Sequence, residues 1–451
     1  MSTTLSGLSG MTKIKYNFTL LCKIILDFNL RGKIMLKRTI SDTISKISSA
    51  WPVLLLTGPR QVGKSSVLNM LKKKTRKYVS LDDISVRDLA LGDPRAFLQK
   101  YEPPVIIDEV QYAPNLFTYI KIWVDERRYE YKSGGKKSVN PAGAFWLTGS
   151  QKFALMKGVQ ESLAGRIAII DLLGFSYKEI TGKPKESKPF WPDEVDVQKE
   201  TKTRKVMEVY RDIWRGSFPE FVVNPAMGRD RFFSSYMQTY IERDVKDYQG
   251  AANDLKFYKF VRAVAVRTGN LINYEDLARD CDIDRRTAQK WLDTLQASGL
   301  VYLLPPYSSN LTNRIIKTPK IYFLDTGLAC FLANINTPEA LEASYLSGAM
   351  LETYVLCEIL KGFWHNGEDA RKLYFYRDCN KKEVDFVLEK NMTLHPVEVK
   401  KTTSPNSGDY ANLSVIDSLK KPAGKGALVC LYSGIMPIPK KNALIVPVWE
   451  I

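Results

Sequence analysis

Gly58-Pro59-Arg60-Gln61-Val62-Gly63-Lys64-Ser65 fits the spacing GxxxxGK(S/T) without a mismatch. Glycines at these positions let backbone N–H groups turn inward, and a helix starting at the end of the loop adds positive potential where phosphates would lie. Gly58, Pro59, Arg60, Gln61, Val62, Gly63, Lys64, Ser65 and Ser66 are therefore candidate nucleotide-binding residues. Lys64 would reach the β- and γ-phosphates and Ser65 would ligate Mg²⁺. A second element, Pro104-Val105-Ile106-Ile107-Asp108-Glu109, is an apolar run ending in two carboxylates. Asp108 is the candidate to hold Mg²⁺ through water, and Glu109 the candidate to orient and polarise an attacking water. A third apolar run ends in Thr148-Gly149-Ser150-Gln151, where Ser150 could bond the γ-phosphate or the lytic water. Ser162-Leu163-Ala164-Gly165-Arg166 then presents an arginine suited to act on a neighbouring copy's nucleotide. The bland alternatives are a strand-to-helix cap for Ser150 and a structural ion pair for Arg166.

These residues need strands that end together. Val53–Leu56, Tyr78–Leu81, Val105–Ile107, Phe145–Leu147 and Ile167–Ile170 are short and mostly too apolar for half-exposed strands, and helical segments separate them. The alternation predicts a doubly wound α/β parallel sheet with the motifs at its carboxyl edge. Arg127 to Asn140 reads as a flexible loop, and Thr181 to Arg204, rich in Pro, Lys and Glu, as a linker or excursion. Residues 206 to 249 read as mostly helical. From Tyr274 the pattern is helix, turn at Asp282-Ile283-Asp284, helix, then two apolar strands, a winged-helix layout.

Composition narrows the chemistry. Of 451 residues, 45% are hydrophobic and 25% charged, which disfavours wholesale disorder. Only two histidines occur, His365 and His395, so multi-histidine metal sites are nearly excluded. The net charge of +17 points to polyanionic partners. The six cysteines show no paired spacing, which suits a reducing compartment. No run of 18 apolar residues exists, and the run from Phe18 to Leu30 is broken by Lys23 and Asp27. A cytoplasmic location without a membrane partner is the expectation. Residues 1–34 are expected to be an extension, with the folded core starting near Met35.

With these residues in view the chain resembles a family of bacterial and archaeal AAA+ ATPases that carry a C-terminal domain of unknown function. The resemblance covers about Met35 to Lys401. It rests on the phosphate loop, Ser80-Leu81-Asp82-Asp83, Asp93-Pro94-Arg95, Ile107-Asp108-Glu109-Val110-Gln111, Leu147-Thr148-Gly149-Ser150-Gln151 and Ser162–Arg166. It continues through Gly216-Ser217-Phe218-Pro219-Glu220, Tyr240-Ile241-Glu242-Arg243-Asp244-Val245 and Asp325-Thr326-Gly327-Leu328. It implies a P-loop NTPase sheet domain over 35–180, a linker and helical segment over 181–250, a winged helix over 251–330 and a nuclease-like α/β domain over 331–451. It also implies ATP and Mg²⁺ as cofactors and a homo-oligomer. The expected function is a Mg²⁺-dependent ATPase that hydrolyses ATP to drive a conformational change, with nucleic acid an open partner. The alternatives are an ATP-gated signalling switch and a DNA-binding regulator.

Farther on, Glu383-Val384-Asp385-Phe386-Val387-Leu388-Glu389 precedes Pro396-Val397-Glu398-Val399-Lys400. An Asp on one strand and Glu-x-Lys on the next resembles the core of restriction-endonuclease-like nucleases. That resemblance implies Asp385 and Glu398 as Mg²⁺ ligands and Lys400 as a group that positions water or stabilises charge. Glu352 or Glu358 on the preceding helix would complete the set, Glu352 by analogy. Strand alternation puts Glu398 and Lys400 on one face. An active nuclease, an inactive nuclease-like fold and an ordinary strand pair all stay open. In the helix-turn-helix, Arg285, Arg286 and Lys290 could face DNA phosphates, although Glu275, Asp276, Asp280, Asp282, Asp284 and Asp293 more than offset them.

Overall fold

Five apolar runs pair side by side in the computed structural model, which describes residues 36–134, 139–150, 162–240, 254–308, 318–378 and 380–451. They are β1 (Val53–Thr57), β2 (Lys77–Ser80), β3 (Val105–Asp108), β4 (Phe145–Thr148) and β5 (Ile167–Asp171), in the order β2-β3-β4-β1-β5 with every pair parallel. The inner strands β1, β3 and β4 are buried throughout, and the edge strands are partly exposed. Burial on both faces accounts for the unbroken apolar runs. One face (Val53, Leu55, Ile107, Leu147) packs on Phe97, Leu116, Ile120 and Val124; the other (Leu54, Leu56, Ile106, Trp146) packs on Ile40, Ile44, Val67 and Leu68. The covering helices are α1 (Ile40–Ala50), α2 (Lys64–Leu71), α3 (Ile84–Gly92), α4 (Pro94–Lys100) and α5 (Leu116–Lys132). Asp83 and Asp93 start α3 and α4 by accepting from backbone N–H groups of the first turn.

The loop expected from Arg127 to Asn140 is a correction: α5 continues through Lys132. Its polar end is the solvent face of a long helix, tied by Arg127 to Glu130 at 2.6 Å. Of the linker or excursion expected over 181–204, the structure shows an ordered excursion. It follows α6 (Tyr177–Ile180), makes 3₁₀ turns at Pro184–Glu186 and Pro192–Glu194, buries Phe190 and sets Trp191 edge-on to Phe363, with centroids 5.2 Å apart. The expected 1–34 extension, Gln151, Lys136-Lys137 and Ile241–Val245 lie outside the described residues.

Helices α7 (Val206–Arg215), α8 (Pro219–Val223), α9 (Arg229–Tyr240) and α10 (Asp254–Ala265) lead into β6 (Asn270–Leu271), α11 (Tyr274–Cys281) and α12 (Arg285–Ala297). Strands β7 (Val301–Leu304) and β8 (Lys320–Phe323) then complete an antiparallel sheet of order β6-β8-β7. After α13 (Thr326–Leu332), α14 (Pro338–Ala343) and the long α15 (Ser347–His365) comes a mixed sheet. It comprises β9 (Leu373–Arg377), β10 (Glu383–Lys390), β11 (Thr393–Lys400), β12 (Gly426–Cys430), β13 (Met436–Pro437) and β14 (Ala443–Pro447), in the order β13-β14-β12-β11-β10-β9. One hydrophobic core runs without a break from Leu173 to Trp449, so these segments stabilise one another. Two units divide the chain, Met1–Lys37 and Arg38–Ile451, and all the elements named here belong to the second. Among the described residues no helix is long and apolar enough to cross a membrane.

Two motifs noted in the sequence meet at the junction of these parts. Asp325 accepts from the Ser217 backbone N–H (2.7 Å) and hydroxyl (2.8 Å), and caps α13 through Leu328 N–H (2.8 Å). The Ser217 carbonyl accepts from Phe175 N–H just beyond β5 (2.8 Å). Gly216 has φ +79°, and a Cβ there would stand 2.5 Å from an Asp325 oxygen, so only glycine fits. Asp325→Ala strips three buried donors of their acceptor and is expected to cost about 3 kcal/mol, read as a lowered urea midpoint. A midpoint equal to wild type would show that water replaces the carboxylate.

Neither histidine stands in the phosphate site. Burial pushes His365 down to about 3, so the ring is neutral near pH 7; its Nε2 accepts from Leu173 N–H at 3.2 Å. His395 is also buried, on β11. The four described cysteines, Cys281, Cys330, Cys357 and Cys430, are buried free thiols.

Candidate active site

Strand β1 ends at buried Thr57, and the chain turns at Gly58 with φ +142°. A Cβ there would lie 2.1 Å from the Leu172 carbonyl oxygen, which only glycine avoids. Gly63, at φ +88°, caps the start of α2, so the loop closes directly into a helix N-terminus. Val62 is buried on the sheet face, while Gln61 and Ser66 face outward. Lys64 is 6% exposed and folds back over its own loop, donating to the Gly58 carbonyl (2.9 Å) and the Pro59 carbonyl (2.7 Å). Arg38, buried ahead of α1, braces the loop from behind. It donates to the Val62 carbonyl (3.0 Å) and the Leu173 carbonyl (2.7 Å) and pairs with buried Glu179 (3.1 Å).

Asp108 closes β3 beside this loop. Its Oδ1 accepts from Ser65 Oγ at 2.9 Å and also from Thr148 Oγ1 at the end of β4; its Oδ2 accepts from Tyr78 OH at 2.7 Å on β2. Burial and the Asp108 carboxylate together hold the Tyr78 phenol above its ordinary range, so it remains a donor. Glu109 takes a left-handed conformation (φ +55°), and its Oε2 accepts from Ser150 Oγ at 3.3 Å and from Gln111 Nε2. Lys64, Ser65, Asp108, Glu109 and Ser150 thus gather at the carboxyl ends of β1, β3 and β4, where parallel sheets bind ligands. Arg38, Tyr78, Thr148 and Gln111 join them without having been singled out for a role. Thr148 and Gln111 fall inside noted motifs, but Tyr78 reaches Asp108 only through strand pairing, Ser80 lying opposite Asp108.

Arg166 stands elsewhere. It precedes β5, whose Ile167 pairs with Val53 at the start of β1, so it lies on the opposite edge of the sheet from the phosphate loop. The five residues of β1 separate the two edges by about 16 Å. Its guanidinium grips Asp125 of α5 with two bonds (2.6 and 2.8 Å) and donates to the Ala164 carbonyl (2.9 Å).

The C-terminal acids form a separate cluster. Asp385 on β10 accepts from Val399 N–H (2.8 Å), and Lys400 donates to Glu398 Oε1 (2.6 Å) on β11. Glu352 of α15 joins them, accepting from Lys320 (3.1 Å) and Tyr322 of β8. Glu358 does not; it pairs with Lys361 (2.8 Å) and accepts from Tyr177 N–H (2.9 Å). Burial first, then the neighbouring carboxylates, push Asp385 well above the carboxylate range; burial likewise raises Glu398. Among the described residues, no group of three or more His, Cys, Asp or Glu is arranged to hold a metal ion. In the helix-turn-helix, Arg285 pairs with Glu275 (3.1 Å) and Arg279 with Asp276 (2.6 Å).

Comparison with known proteins follows this division. Residues 207–339 and 347–451 match two families each described as a domain of unknown function, DUF8612 and DUF4143, and residues 50–181 match the family described as AAA domain. Uncharacterized proteins of Mycobacterium tuberculosis and Mycobacterium bovis are each 27% identical over 368 residues, covering 81% of this chain and 74% of theirs. Among solved structures, the Walker-type ATPase of Pyrococcus abyssi is 17% identical, covers 68% of this chain and 99% of its own, and has a TM-score of 0.42. The Aeropyrum pernix ORC2 protein, in ADPNP-ADP complexes, is 14% identical, covers 69% and 96%, and has a TM-score of 0.36. On the family match, and on the phosphate loop and acidic strand end of its five-stranded parallel sheet, residues 50–181 are an AAA domain of the P-loop ATPase kind.

Proposed function

We propose that this chain is a Mg²⁺-dependent AAA+ ATPase, cytoplasmic, that binds and hydrolyses ATP as a homo-oligomer and uses the cycle to move its C-terminal parts. The observation that carries this reading is the 2.9 Å bond from Ser65 Oγ to Asp108 Oδ1, with Lys64 one residue before and Glu109 one residue after those partners. Serine hydroxyl, aspartate and lysine at one strand edge suit a metal-bound triphosphate. Ser65 and Asp108 would hold Mg²⁺, which neutralises charge on the β- and γ-phosphates when bound. The loop's N–H groups, from Gly58 to Ser65, bind and orient the phosphates. Lys64 exchanges its two carbonyl partners for phosphate oxygens, and Tyr78 and Thr148 hold Asp108 in place. Glu109, steadied by Ser150 and Gln111, accepts the proton of the attacking water. Arg166 lies too far along β1 to reach a nucleotide on its own chain; a role on a neighbouring copy's phosphates requires it to leave Asp125, and the pair it makes with Asp125 is the structural alternative.

The C-terminal parts are read as a winged helix (α11, α12, β6–β8) and a nuclease-like α/β module built on β9–β14. Support comes from the helix-turn-helix followed by an antiparallel hairpin, and from Asp385 and Glu398 on adjacent strands. Nucleic acid fits the charge of +17 as a partner. The ion pairs that Arg285 and Arg279 make with Glu275 and Asp276 favour a second reading, an ATP-gated switch without DNA.

Phosphate release, measured against Mg²⁺, protein concentration, salt and added DNA or RNA, tests these points together. Turnover is expected to require Mg²⁺ and to rise in specific activity with concentration. Arg166→Ala is expected to lose about 10³-fold in rate while keeping nucleotide affinity. Full turnover by a monomer, independent of concentration, would remove the role of Arg166 in trans. Stimulation by nucleic acid with a steep salt dependence marks a nucleic-acid motor, and its absence marks the switch.

A further inference from the structure

Four carboxylates, Glu352, Glu383, Asp385 and Glu398, meet two lysines, Lys320 and Lys400, between the β6–β8 sheet and the C-terminal sheet. Lys320, on β8, is 3% exposed. Its ammonium lies 3.1 Å from Glu352 on α15 and 2.5 Å from Glu383 at the start of β10. The field of Asp385 also reaches it. Tyr322, two residues along the same strand and fully buried, donates to the Glu352 oxygen that Lys320 also holds. On the far side of the cluster Lys400 covers Glu398 Oε1, while Glu398 Oε2 is buried without a hydrogen-bond partner.

Buried carboxylates at this density need a cation, because desolvation penalises each charge and their mutual repulsion adds to it. A divalent ion held by Asp385 and Glu398 would supply that charge, and the resemblance to nucleases calls for one. The residues present do not fit it. One ammonium, Lys320, already engages Glu352, the third carboxylate, and a second, Lys400, engages Glu398, so two of the three carboxylates are taken by lysine. A lysine cannot polarise water as a Lewis acid.

We propose that Lys320, delivered by β8, replaces the divalent cation of the C-terminal acidic cluster and closes that cluster to metal. This rests on the nuclease-like reading of β9–β14. It makes the C-terminal module a non-hydrolytic one whose ion pairs fasten it to the preceding sheet.

The experiment is Mn²⁺ binding to the nucleotide-free full-length chain, followed by the electron paramagnetic resonance signal of free Mn²⁺. Wild type and Asp385→Asn are expected to bind the same amount. Lys320→Ala, folded by circular dichroism, is expected to take up one additional Mn²⁺ per chain, and Lys320→Ala/Asp385→Asn to lose it. Should Lys320→Ala not fold, Lys320→Met keeps the apolar stem in place and serves in its stead. Mn²⁺ bound by wild type and lost in Asp385→Asn overturns the proposal and leaves the nuclease-like reading standing. A folded Lys320 variant that gains no Mn²⁺ overturns the proposal and with it the assignment of Asp385 and Glu398 as cation ligands. Neither outcome touches the phosphate site, which contains none of these residues.

Discussion

Glu109→Gln is expected to bind ATP as wild type does and to hydrolyse it about 10²- to 10⁴-fold more slowly. The substitution is nearly isosteric, and an amide oxygen can still accept from Ser150 Oγ and Gln111 Nε2, the two groups that hold the wild-type carboxylate. What the amide cannot do is take a proton from water. Glu109 is also absent from the loop that binds phosphates, and its left-handed backbone conformation persists in the variant because Val110 and Gln111 remain packed. Single-turnover phosphate release, beside a fluorescent-nucleotide titration, separates the two quantities. Unchanged turnover would move the water-polarising role to another residue.

The second large effect is on binding. Lys64→Ala removes the only lysine of the loop from Gly58 to Ser66. Charge-assisted hydrogen bonds contribute about 1.5–3 kcal/mol each, so losing contacts to two phosphates weakens ATP binding by about 10²-fold or more. The same lysine cross-braces the loop through the Gly58 and Pro59 carbonyls. Nucleotide-free Lys64→Ala is therefore expected to melt at a lower temperature, by about 1–2 kcal/mol of stability. The upward shift of Tm with added ATP and Mg²⁺ should vanish. A variant that kept the ATP-dependent shift would locate the phosphate contacts in the backbone alone. One that unfolded outright would still be distinguished from a binding defect by its melting curve without nucleotide.

The legible part of the site was the part written consecutively along the chain. Lys64 and Ser65 are adjacent, Asp108 and Glu109 are adjacent, and each pair closes an apolar run, so local spacing was enough to name them. Arg38 was not legible. Its importance lies in reaching the Val62 and Leu173 carbonyls and Glu179, up to 141 residues away. Tyr78 was hidden for a related reason: a half-exposed tyrosine on an edge strand acquires its role only once β2 pairs with β3. The α5 extension past Arg127 was missed because charged residues on the solvent face of a helix look like a loop when neighbours are counted by composition.

The acidic cluster divides in the same way. Strand alternation puts Glu398 and Lys400 on one face, while Asp385 and Glu352 were named through the resemblance to nucleases. Lys320 lies in a different part of the chain, and no sequence pattern connects it to them. Its insertion brings a second ammonium, beside Lys400, into a desolvated set of carboxylates. Backbone sterics and hydrophobic periodicity act over a few residues, and they determine from order alone the five strands, the phosphate loop and the acidic strand end. Electrostatic neutralisation and hydrogen-bond satisfaction act through space. They alone decided that Arg166 pairs with Asp125, that His365 is neutral, and that Glu352, Glu383 and Glu398 are paired with lysine.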